Sequence, residues 1–73
     1  MKSRTMSPGA AAVRFLNGAS YIHHVSYRRA KQMLAGEVPI DPLAVATMAD
    51  RCDIPYIVMR ELLEEYIHDG GKA

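Results

Sequence analysis

Arg28, Arg29, Lys31 and Gln32 stand within one short stretch, preceded by Ser26 and Tyr27 and followed by no acid before Glu37. These are side chains that recognise nucleic acid. Guanidinium and ammonium groups donate to phosphate oxygens, while Arg, Lys and Gln also match the purine edges displayed in a major groove. If the stretch is helical, Ala30, Met33 and Leu34 share one face at i, i+3, i+4, and Tyr27, Arg28, Lys31 and Gln32 take the other. A polar, basic face carried on an apolar back is the arrangement that a groove of duplex DNA requires.

Other chemistries find less in the chain. His23 and His24 are adjacent, so on a helix they point about 100° apart and are poorly placed to share an ion. The only other imidazole or thiol ligands are His68 and Cys52, and no metal is expected. Two imidazoles just ahead of Ser26 fit better beside phosphates. Glu61, Glu64 and Glu65 read as helix-surface acids, with Glu64 and Glu65 neighbours rather than a facing pair. No glycine-rich phosphate loop, Cys–His nucleophile spacing or His-x-x-x-His pattern is present. A chain of 73 residues also leaves little room for a walled pocket. The reading is therefore not an enzyme, and no cofactor is called for.

The elements that position these residues follow from caps and breakers. Ser26 can cap a helix that Gly36 ends. Upstream, Ser7-Pro8 starts a helix from Gly9 to about Leu16, with Ala12, Phe15 and Leu16 as its stripe and Asn17-Gly18 as its stop. Ala19 to His24 reads as a further short helix with Ala19, Ile22 and His23 inward. Glu37 to Pro42 is a connector stiffened by two prolines. Asp41 then caps a helix over 42–52 that buries Leu43, Val45, Ala46, Ala49 and Cys52. Asp53 caps the last helix, with Pro55 in its first turn, and Asp69-Gly70-Gly71 ends it. The expectation is an all-α fold of four or five short helices in one domain spanning 1–73, with residues 1–6 an arm and 69–73 a tail.

The stretch 25–63, about half the chain, resembles the lambda-repressor-like (Cro and XRE-type) helix-turn-helix domains. Val25-Ser26 matches the pair that opens their recognition helix, and Gly36 follows the Ser by the family's ten residues. A Pro-containing connector comes next. Ala49, thirteen after the Gly, Cys52 three later, and Asp53-Ile54 in place of a Gly-Val or Gly-Ile turn then fall in register without a gap. The resemblance implies a small transcriptional regulator, a repressor of phage or plasmid type, that binds double-stranded DNA as a homodimer with helix 26–35 in the major groove. Its DNA-binding set here would be Ser26, Tyr27, Arg28, Arg29, Lys31 and Gln32, flanked by His23 and His24.

The last helix is apolar on more than one side. Ile54, Val58, Leu62 and Tyr66 form one stripe, Met59, Leu63 and Ile67 a second, and Ile57 faces a third way. One stripe covers a small core, and the surplus suggests a homodimer interface of Val58, Met59, Leu62, Leu63, Tyr66 and Ile67. Charge divides the chain as well. The six basic residues and no acid of residues 1–36 give +6, while three basic and eight acidic residues in 37–73 give −5, summing to the net +1. Such asymmetry points to a polyanion on one side and a different contact on the other.

Two alternatives stay open. Met48-Ala49, Cys52, Asp53, Ile54, Met59 and Leu62 also have the spacing of a whole helix-turn-helix, which would make 55–68 the recognition helix. Its acids Glu61, Glu64, Glu65 and Asp69 against Arg60 oppose the counterion-release term of DNA affinity, which favours helix 26–35. The other alternative is a protein-binding inhibitor or adaptor on a degenerate helix-turn-helix fold, acting on a host protein through its acidic, apolar C-terminal helix. With 49% hydrophobic residues the chain reads as globular. Cys52 alone excludes an intrachain disulfide and points to a reducing cytoplasm. No apolar run approaches the roughly 20 residues of a membrane span.

Overall fold

Ser7, Ser26 and Asp41 each start a helix in the same way. In a computed structural model describing residues 6–19 and 25–70, the Ser7 Oγ accepts from the Ala10 amide at 3.1 Å, the Ser26 Oγ from Arg29 at 3.1 Å, and an Asp41 carboxylate oxygen from Leu43 at 3.0 Å. Each bond satisfies an amide that a helix start leaves without a partner. The helices are α1 (Pro8–Gly18), α2 (Tyr27–Leu34), α3 (Pro42–Cys52) and α4 (Tyr56–His68), and the described residues contain no strand. Pro8 and Pro42 occupy the first helical position, where a missing amide hydrogen is no loss.

All four helices contribute to one core. Its largest fully buried side chains are Phe15 from α1, Met33 from α2, Val45 from α3, and Met59 and Leu63 from α4. α4 packs most extensively on α1 and α3 and also touches α2. No buried side chain among the described residues is polar or charged, so the interior is held by apolar burial at roughly 25 cal/mol per Å². None of the described helices is long and apolar enough to cross a membrane.

Three local expectations are corrected. Leu43 is 60% exposed and Ala46 is exposed, while Ala44 and Met48 are buried. Val45 and Ala49 fix the inward face; Ala44 and Met48 complete it at i, i+4 spacing, which turns 43 and 46 to solvent. α1 runs two residues past Leu16 and ends at Gly18, without a left-handed residue there. Gly18 is helical and buried, and a Cβ built there would lie 2.5 Å from the Met48 sulfur. The tip of the Met48 side chain from α3 therefore fills the space that a side chain at 18 would take.

Asp53 does not cap α4. It takes the left-handed conformation (φ 60°, ψ 42°) at the end of α3, and Pro55 precedes α4 without a side-chain cap. The Ile54 amide donates to the Ala49 carbonyl at 3.1 Å and the Asp53 amide to Asp50 at 3.2 Å. This pair of bonds closes a helix around one left-handed residue, a place usually held by Gly.

Two stability changes follow. Asp53→Gly should raise unfolding free energy by up to about 1 kcal/mol, because the left-handed region disfavours a Cβ. Phe15→Ala should lower it by about 3–5 kcal/mol, a large share of a small domain's total. Urea denaturation followed by circular dichroism measures both.

Candidate nucleic-acid interface

α2 is short, and both of its ends are fixed. At its start, the Ser26 carbonyl accepts from the Ala30 amide at 2.9 Å, in addition to the side-chain cap. At its end, Gly36 has φ 79°, its amide donates to the Met33 carbonyl at 3.1 Å, and the Glu37 amide reaches the Gln32 carbonyl at 2.9 Å. A helix of eight residues is marginal alone. Here Ala30, Met33 and Leu34 anchor it in the core, and Val25 is buried just ahead of the cap.

The opposite face is open. Tyr27 is 58% exposed, Arg28, Arg29 and Lys31 are exposed, and Gln32 is half-buried. The Lys31 ammonium sits 5.7 Å from the centre of the Tyr27 ring, one turn away. Such contacts contribute about 0.5–1 kcal/mol at exposed sites. Among the described residues, Arg28 and Arg29 make no ion pair. Tyr27, Arg28, Lys31, Gln32, Ala35 and Glu37 line a shallow hollow along this face. The structure thus brings Ser26, Tyr27, Arg28, Arg29, Lys31 and Gln32 onto one short helix. His23 and His24 lie outside the described residues.

Glu37 was missed by the reading of residue types, which placed it in the connector. A signal was available. The residue after a helix-ending Gly donates its amide back into the helix, so it stays beside the last turn.

α3 and α4 are joined by residues 53–55, a turn of helix-turn-helix length. Met48, Ala49, Met59 and Leu62 are buried around it, and Cys52 and Ile54 are half-buried. The outer face of α4, however, exposes Glu61, Glu64 and Glu65. Its single arginine is already held: Arg60 Nε donates to Glu64 Oε2 at 2.9 Å, and Nη1 donates to the Tyr56 hydroxyl at 3.3 Å. The Glu64 hydrogen bond, followed by that of Tyr56, shifts the Arg60 guanidinium further towards its protonated form.

The residues expected at an interface between copies are largely used elsewhere. Met59, Leu62 and Leu63 are buried in the chain's own core, and Val58, Tyr66 and Ile67 are half-buried. α1, α3 and α2 pack against α4, while Ile57, which faces a third way, is 56% exposed. As a set, these six residues do not form an open surface.

Compared with protein-family models, curated proteins and solved structures, the chain matches none.

The cap makes a direct prediction. Ser26→Ala should destabilise the domain by about 1 kcal/mol. It should also speed amide exchange at Arg29, whose hydrogen bond is lost. Unchanged exchange at Arg29 would show that α2 does not depend on this cap.

Proposed function

We propose that this chain is a small transcriptional regulator that binds duplex DNA by laying α2 in the major groove, in the manner of lambda-repressor-like helix-turn-helix domains. The observation that carries the reading is the exposed face of α2. Arg28, Arg29 and Lys31 project from a helix without acids whose back is buried in the core. Phosphate neutralisation supplies much of DNA affinity, and a three-cation face favours it where the acids of α4 oppose it. The three-residue turn between α3 and α4 is compatible with a helix-turn-helix there, but charge selects α2.

Roles divide by direction on the helix. Arg28 and Gln32 lie one turn apart, with Lys31 beside them, and serve as base readers. Arg29 points about 100° from Arg28, towards a strand wall, and serves as a phosphate contact. Tyr27 and Ser26 flank at the helix start. A DNA ligand and a lone thiol both fit the cytoplasm.

The mutants should separate these roles. Arg28→Ala should lose site preference at one base position, at about 1–3 kcal/mol. Arg29→Ala should weaken binding to all sequences alike and lower the slope of log K against log salt by roughly 0.9. Glu65→Ala, on the acidic helix, should change neither. Electrophoretic shift or fluorescence anisotropy across a salt series reads all three. Wild type that binds no duplex even at low salt would overturn the reading, and the acidic surface of α4 would then be the face to test against protein partners.

A further inference from the structure

We infer that Glu37 is a specificity residue of the α2 face, a step that rests on the DNA reading above. Three observations place it there. Its amide donates to the Gln32 carbonyl at 2.9 Å, which ties its backbone to the last turn of α2. Gly36, in the left-handed conformation, turns the chain back to make that bond. The Glu37 side chain is exposed and lines the same hollow as Tyr27, Arg28, Lys31 and Gln32. Among the described residues its carboxylate has no ion pair or hydrogen bond, although two cations border the hollow.

A free carboxylate on a phosphate-binding face opposes non-specific binding in every register. It becomes favourable where a base amino group in the major groove donates to it; cytosine N4 does so, whereas adenine N6 stands beside the N7 acceptor, which repels a carboxylate. Glu37 therefore penalises most sequences and spares those that place cytosine opposite the end of α2. The cations supply attraction that does not depend on sequence, and Glu37 converts part of it into discrimination. It contributes by rejection, which a search for cations and purine readers overlooks.

The test uses the whole chain, wild type beside Glu37→Ala and Glu37→Gln. Each is first measured on mixed-sequence duplex at low salt and then used to select from a randomised duplex pool. Both variants should bind mixed duplex roughly fivefold more tightly, the effect of removing one unit charge about 4 Å from a phosphate in water. In selection, wild type should favour cytosine at one position, and both variants should lose that preference by roughly tenfold. Variants that select the same cytosine as wild type, or bind mixed duplex no more tightly, overturn the role of Glu37 while leaving DNA binding in place. Wild type that binds no duplex overturns the DNA reading itself, and the inference with it. Glu37 is exposed, so circular dichroism should show both variants folded as wild type is.

Discussion

The arrangement depends on the burial of α4. Met59 and Leu63 are fully buried and Leu62 nearly so, and this is possible only because α1, α3 and α2 all pack against that one helix. A short chain buries a smaller fraction of its surface than a long one, so each core side chain carries a large share of stability. Every other helix is held by its contribution to this centre: Phe15 for α1, Met33 for α2 and Val45 for α3. α2 has the least apolar material of its own, and its place rests on Ala30, Met33 and Leu34 reaching the shared core.

That constraint frees the remaining face of α2 for chemistry. A helix of eight residues has few outward positions, and here they are Tyr27, Arg28, Arg29, Lys31 and part of Gln32. Ser26 at one end, and Gly36 with Glu37 at the other, fix its length and direction without using those side chains. Glu61, Glu64 and Glu65 lie together on α4, where Glu64 is neutralised locally by Arg60. The result is a basic face and an acidic face on one small body, a division already visible in the charges of the two halves.

Much of the fold was legible because its helix ends are written in single residues. Ser7-Pro8, Ser26, Asp41-Pro42 and Gly36 act as their types suggest. Errors arose where one residue type serves two purposes. Gly18 looked like a left-handed stop, but it ends α1 in helical conformation and lies against the tip of Met48. Asp53 looked like a helix start and is a left-handed helix end, a conformation Asp tolerates better than most residues. Leu43 looked buried by type, but the register set by Val45 and Ala49 turns it outward. Of the apolar stripes of α4, Met59, Leu62 and Leu63 went into the chain's own core, while Ile57, facing a third way, is 56% exposed. Glu37 was overlooked because its place beside α2 depends on a backbone turn, not on its own type.

The central claim is that the exposed face of α2, and not that of α4, meets DNA. Titration of short duplex DNA into the isotopically labelled chain, followed by amide chemical shifts, tests this most directly. The account predicts that Ser26 to Gln32 and Gly36-Glu37 shift progressively with added duplex, while Glu61 to Asp69 stay in place. Shifts confined to the outer face of α4, or none at low salt, would contradict it.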